Sequence, residues 1–237
     1  MISDHHSARS RIAALASATL LATLPVPLVA APAPAAAPAC SGQAGDPQAS
    51  VKQIRTTLKA VTAASKAGQK RAAARQLASV ASQLGPAHAS AAAQIGLPPP
   101  DPESDEIPGP GAVQAVMNVD HRIVTLALPL LAGLPARAAG TLASTVVLTA
   151  RCRDQVAGQV AALPPGGEGA DYMDAMADTL TSFQQELKAI KQALAPGSGL
   201  TTVARTRLTR ARTVVQATFA TMKKSFGGGE RPHGGEN

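Results

Sequence analysis

The chain contains almost no aromatic residues: its 237 residues include no Trp, one Tyr and three Phe. β-Strands favour aromatic and β-branched residues, whereas alanine, which is abundant throughout this sequence, is the strongest helix former. The scarcity of aromatics also argues against a nucleic-acid partner, because single strands are bound on aromatic stacking platforms. The composition therefore predicts an all-α protein.

Motifs of catalysis and cofactor binding are missing as well. There is no GxSxG elbow and no Gly-rich phosphate-binding loop, and His88 and His121 lack further ligands at a metal spacing. The sequence therefore predicts no catalytic residue, no metal site and no cofactor. Two alternatives stay open: an enzyme of unrecognised type, for which Asp120 and His121 form a suggestive pair, and haem ligation by His121 with a methionine.

Acidic residues are absent from residues 47–96, which contain seven Lys or Arg, and residues 201–237 contain seven Lys or Arg against two Glu. The net charge of +7 favours anionic partners such as lipid headgroups or a cell-wall polymer. The simpler interpretation is a solvated helix surface that keeps an alanine-rich protein soluble. The candidate anion-binding residues are Lys52, Arg55, Lys59, Lys66, Lys70, Arg205, Arg207, Arg210 and Arg212.

Residues 1–39 have the three parts of a signal peptide. Two arginines precede an apolar segment at residues 12–29, two prolines make that segment a poor membrane span, and small residues follow it. We expect cleavage after Ala35 or Ala39, and the loss of two Arg and one Asp then lowers the net charge from +7 to +6. The protein is thus predicted to be secreted or extracytoplasmic, with a retained N-terminal anchor as the alternative.

Cysteine occurs only twice, at Cys40 and Cys152. Two cysteines in an exported chain predict one disulfide, which would close a loop of roughly 110 residues and contribute about 4–5 kcal/mol in the chain-entropy model. Lipidation of Cys40 is an alternative, although Ala37 stands where a lipidation motif has a larger aliphatic residue. Two buried free thiols are the other alternative.

Apolar residues recur at helical spacing in five segments. The first begins at Asp46–Pro47, is weakened at Gly68 and is broken at Gly85–Pro86, with a short continuation towards Ile95; one long kinked helix and a helical hairpin are both compatible with it. The other four segments cover residues 112–131, 136–163, 170–194 and 201–226, and the fourth of the five carries a coiled-coil a/d seam.

These segments predict an up-and-down bundle of about five helices over residues 40–226. A Pro/Gly-rich acidic linker is expected at residues 97–111 and a disordered tail at residues 227–237. The expected function is that of an exported, non-catalytic helical protein. It would bind an anionic cell-envelope surface or a helical partner protein through its basic faces, or a second copy of itself through the apolar seam of the fourth or fifth segment. A carrier of a small apolar ligand or haem in the bundle interior is the alternative.

Overall fold

The computed structural model describes residues 40–97, 109–164 and 168–227. The predicted signal peptide lies outside these residues, as do residues 98–108 of the predicted linker and 228–237 of the predicted tail. Within the described ranges all regular structure is helical, which confirms the all-α bundle. The helices there are α1 (Pro47–Lys66), α2 (Lys70–Ser79), α3 (Ala81–Ala93), α4 (Gly109–Leu131), α5 (Ala136–Ala161), α6 (Glu168–Ala193) and α7 (Thr202–Gly227).

The first predicted segment forms a hairpin, so the second of its two expected forms is present. Asp46 caps α1 by accepting a hydrogen bond from the backbone N–H of Gln48 at 2.8 Å, and Pro47 occupies the first helical position, where its missing N–H costs nothing. The chain then reverses at Gly68, whose φ of 73° lies in the left-handed region that glycine tolerates. As a result, α2 packs back against α1.

The predicted break at Gly85–Pro86 does not occur. Instead, α3 continues through Pro86 to Ala93, although proline removes one helical hydrogen bond and is usually a helix breaker. Leu84 and Ala87, which flank this position, are fully buried, so tertiary packing holds the helix together where propensity would end it.

The last four helices pack most extensively on alternate rather than consecutive partners: α4 on α6, and α5 on α7. The pair α5 and α7 runs parallel. Along α5, Gly140 lies against Arg207, and Asp154 lies against Thr218 farther along both helices. Fully buried small residues of α5 and α7, such as Ala143 and Ala211, allow the close approach.

In the described part of the chain, two apolar clusters form the core. The larger one joins the stripes of α1 to α7, including Phe183 and Ile190 of the predicted seam on α6. The smaller one gathers Met117, Met176 and Met222. None of the described helices is long and apolar enough to cross a membrane.

The predicted linker is shorter at its C-terminal end than expected, because residues 109–111 already belong to α4. Gly109 is buried there against Tyr172 of α6, whose hydroxyl donates a 2.6 Å hydrogen bond to the backbone oxygen of Gln94. A Cβ at position 109 would lie 1.8 Å from that hydroxyl, so the contact requires glycine. This junction joins the end of α3 to the starts of α4 and α6.

Candidate functional site: a buried charge network and a basic groove

The two cysteines form a disulfide between the segment that precedes α1 and the middle of α5. Cys152 is fully buried and Cys40 partly so, and their Cα atoms are 4.9 Å apart. The predicted bridge is thereby confirmed. A disulfide indicates an oxidising, extracytoplasmic environment.

The segment leading from Cys40 to α1 lies tightly against α3. A Cβ on Gly42 would lie 2.3 Å from the backbone nitrogen of Pro86, and one on Gly85 would lie 2.0 Å from the backbone oxygen of Ser41. Farther along, the N–H of Gly45 donates a 2.8 Å hydrogen bond to Oγ of Ser90. These contacts join the segment to α3 in addition to the sulfur–sulfur bond, which joins it to α5.

Beside the disulfide, His88 of α3 and Asp120 of α4 form a buried pair, with 2% and 0% of their side chains exposed. His88 Nδ1 lies 2.8 Å from the backbone oxygen of Leu84, which can only accept, so this nitrogen carries a proton. His88 Nε2 lies 2.8 Å from Oδ2 of Asp120.

The surroundings of His88 and Asp120 raise the pKa of both side chains. Burial opposes a charge on His88, but the attraction of the Asp120 carboxylate and the hydrogen bonds to Asp120 and Leu84 outweigh it, so the pKa of His88 is raised. Burial raises the pKa of Asp120, and the neighbouring His88 offsets this only in part. Both shifts favour the state in which a proton lies between Nε2 and Oδ2.

A second buried pair joins α5 to α6. Arg153 donates from Nη1 and Nη2 to the two carboxylate oxygens of Glu186, each at 2.7 Å, and its guanidinium lies 4.3 Å from the ring centre of Phe183. His121 of α4, which is 28% exposed, donates from Nδ1 to Oε1 of Glu186 at 3.0 Å. Burial raises the pKa of Glu186. The charge of Arg153 and these hydrogen bonds lower it by more than burial raises it, so the pKa of Glu186 lies below its ordinary value.

The two pairs form one network, because Arg153 acts electrostatically on both Asp120 and His88. It contains two buried polar atoms without a hydrogen-bond partner among the described residues, Oδ1 of Asp120 and Nε of Arg153. Such atoms are uncommon in folded proteins and call for an explanation. The network lies next to the disulfide, because one ring nitrogen of His88 lies within 4.8 Å of both sulfur atoms.

A surface groove of about 550 Å³ runs between α1 and α4. Its cationic residues are Lys52, Arg55 and Lys59, which share one face of α1, and Val51 and two alanines of α4 supply apolar walls. All three cations are exposed. The ion pairs among the described residues lie elsewhere, in the buried network.

The other predicted anion-binding residues do not join this groove. Lys70 donates to the backbone oxygen of Ala132 at the end of α4, and Arg205 donates to the backbone oxygen of Leu194 at the end of α6. Both bonds satisfy carbonyls that a helix end leaves open. Arg207 packs over Gly140.

Three predicted cations remain at the surface away from the groove: Lys66 and Arg210 are exposed and Arg212 is half-buried. α1 packs mainly on α2, α3 and α4, whereas α7 packs on α5 and α6. The basic residues of α1 and those of α7 therefore form separate surface patches. A second groove, of about 310 Å³ between α2 and α5, carries Arg75 and Arg137, which the sequence did not single out.

Sequence reasoning missed Arg153 and Glu186. The signal that was available is the position of Glu186, three residues after Phe183 and four before Ile190, which is the spacing of the α6 seam. A carboxylate at core spacing requires a buried cation, and Arg153 directly follows the buried Cys152.

Comparison of the chain with protein-family models, with curated proteins and with solved structures finds no match. Its function is therefore inferred from the geometry of its own residues.

Proposed function

We propose that the protein is exported, acts without catalysis and binds an anionic component of the cell envelope in the groove between α1 and α4. The observation that carries the proposal is the trio Lys52, Arg55 and Lys59 on one wall of that groove, without a carboxylate partner among the described residues. Unpaired cations that converge on a concave surface favour an anionic ligand.

Two further features support an anion in this groove. The first turn of α1 lies in the groove wall, and a helix N-terminus carries partial positive charge. The carboxylate of Asp46 also lines the groove and caps α1 by accepting a hydrogen bond from the N–H of Gln48, but the three cations outnumber it, so the described lining carries a net positive charge. The alanines of α4 leave room for a bulky anionic group rather than a single small ion.

The binding experiment compares two triple variants with the same loss of charge. One removes the groove cations (Lys52→Gln, Arg55→Gln and Lys59→Gln), and the control removes two lysines and one arginine exposed elsewhere (Lys66→Gln, Arg210→Gln and Lys223→Gln). Each is assayed by co-sedimentation with anionic lipid vesicles and, separately, with purified anionic wall polymer, at low and at physiological ionic strength. The two arms distinguish a lipid headgroup from a polymer.

We expect the groove variant to lose at least about tenfold in affinity, because each cation near an anionic surface contributes about 1 kcal/mol. The control should lose much less. Equal losses would mean that net charge alone attracts the protein, and the absence of binding at low salt, where screening is weakest, would end the proposal.

Export is tested separately by mass spectrometry of the mature protein. We expect its N-terminus at residue 36 or 40, in agreement with removal of the predicted signal peptide. Recovery of a chain that still begins at Met1 would contradict this part of the proposal.

A further inference from the structure

Three potential metal ligands lie together in the buried network. The sulfur atoms of Cys40 and Cys152 and one ring nitrogen of His88 all lie within 4.8 Å of one another. Two thiolates and an imidazole are a donor set that Zn²⁺ prefers. Around a tetrahedral Zn²⁺ these donors would be roughly 3.5–4 Å apart, as follows from metal–ligand distances of about 2.0–2.3 Å. Small movements would therefore close the site around an ion once the sulfur–sulfur bond is open.

The surroundings of His88 suit a ligand. A metal-bound histidine normally donates its other ring N–H to a carboxylate or a backbone carbonyl. His88 has one acceptor of each kind, since Nε2 faces Asp120 and Nδ1 faces the backbone oxygen of Leu84. Whichever nitrogen binds the ion, the other keeps a partner of the usual type.

Asp120 provides an independent indication. Its side chain is fully buried, and its Oδ1 has no hydrogen-bond partner among the described residues. Because Oδ2 of the same carboxyl group lies 2.8 Å from Nε2 of His88, Asp120 contacts one of the three potential ligands directly and supplies a buried acidic group next to it.

The disulfide is not the only contact between the segment after Cys40 and the rest of the site. The close contacts of Gly42 with Pro86 and of Ser41 with Gly85, together with the hydrogen bond from Gly45 to Ser90, hold the segment after Cys40 against α3. His88 lies on that same helix. We therefore expect the Cys40 sulfur to stay near His88 after reduction, while Cys152 keeps its buried position on α5.

From this juxtaposition we propose that the reduced protein binds one Zn²⁺ ion through Cys40, Cys152 and His88, so that the disulfide and the metal are alternative occupants of one site. A dithiol reductant supplies two electrons and two protons, which turn the disulfide into two thiols while the reductant closes to its own disulfide. Zn²⁺ then displaces both thiol protons to solvent and takes the lone pair of one ring nitrogen, whose proton, where present, also leaves.

The experiment uses Co²⁺ as a spectroscopic probe for Zn²⁺. Wild-type protein is reduced anaerobically, freed of reductant and titrated with Co²⁺, and Zn²⁺ is then added in competition. We expect one equivalent of Co²⁺ to produce thiolate-to-metal charge-transfer absorption and the visible bands of a tetrahedral ion, and Zn²⁺ to abolish both. The oxidised protein should show neither.

Cys40→Ser is the matched variant, because it lacks the disulfide just as the reduced wild type does but offers one thiolate fewer. His88→Asn removes the nitrogen ligand and keeps a polar side chain next to Asp120. Both should bind Co²⁺ at least about tenfold more weakly. Far-ultraviolet circular dichroism of the same samples reports on the fold.

Each outcome decides the proposal. A helical reduced protein that binds no Co²⁺, or that binds it as tightly as Cys40→Ser does, overturns the site. If reduction unfolds the chain, recovery of helicity on addition of Zn²⁺ supports the site, and failure to recover helicity overturns it.

Discussion

Arg153 on α5 and the groove cations on α1 are the same kind of residue in opposite situations. Arg153 is buried, donates two hydrogen bonds to Glu186 and stacks on Phe183. Lys52, Arg55 and Lys59 are exposed in the groove and form no ion pair among the described residues. The difference teaches that a cation here serves either the fold or the surface. Only the second kind is available to a ligand, and substitutions separate the two by their effect on stability.

The largest effect is expected from breaking the buried pair. Arg153→Met leaves the buried Glu186 carboxylate with only the hydrogen bond from His121 and should lower the free energy of unfolding by about 3–5 kcal/mol. Urea denaturation monitored by circular dichroism measures it. In the double variant Arg153→Met and Glu186→Leu no charge is stranded, so most of the loss should be recovered. A single variant as stable as the wild type would show that Arg153 does not hold Glu186.

Acid should produce part of the same loss without a substitution. The pKa of Glu186 is lowered in the folded protein below its ordinary value of 4.5, so its contribution is fully present above that value and is lost as the pH falls through the folded pKa. We expect the unfolding free energy of the wild type to fall in this acidic range. In the double variant Arg153→Met and Glu186→Leu, the unfolding free energy should fall less steeply with decreasing pH. An identical pH dependence would mean that other carboxylates cause the loss of stability in acid.

A smaller effect is expected at the end of α6. Arg205→Gln removes bonds to the backbone oxygen of Leu194 and to Oγ of Ser198, together with a favourable charge at a helix C-terminus, and should cost about 1 kcal/mol. Arg210→Gln is the control, because Arg210 lies on α7 as Arg205 does but is exposed. It should change the free energy of unfolding by less than about 0.5 kcal/mol. Equal effects would remove the assigned role of Arg205.

The smallest effect on stability is expected in the groove. The side chains of Lys52, Arg55 and Lys59 form no ion pair among the described residues. Thermal denaturation of the triple variant Lys52→Gln, Arg55→Gln and Lys59→Gln should therefore give an unfolding free energy within about 1 kcal/mol of the wild type. Its loss should appear in ligand binding instead. A clearly destabilised triple variant would place these cations with Arg153 among the residues that serve the fold.

Much of the fold could be predicted because apolar periodicity reports burial directly. The stripe Leu142, Val146 and Cys152 on α5 is fully buried, as its spacing predicted. The disulfide followed because only one pairing of two cysteines exists. Pro86 was misjudged because propensity describes a helix in isolation, whereas the packing of α3 decides whether it continues.

The site could be predicted far less well. Lys59 and Lys70 both belong to the series of cations at helical spacing in residues 47–96. Lys59 lines the groove, whereas Lys70 donates to the backbone oxygen of Ala132. Spacing along one helix does not reveal what a neighbouring helix presents to it. For the same reason His88 lies beside Cys40 and Cys152, although 48 and 64 positions of the chain separate them.

Tyr172, which lies against Gly109, provides an intrinsic fluorescence signal from one position in the fold. Because the chain has one Tyr and no Trp, its near-ultraviolet emission comes mainly from the phenol that bonds to Gln94. Loss of that bond during denaturation would be recorded at one junction of three helices, while the far-ultraviolet signal averages over every helix. Coincident transitions at the two wavelengths would show that this corner unfolds together with the whole bundle.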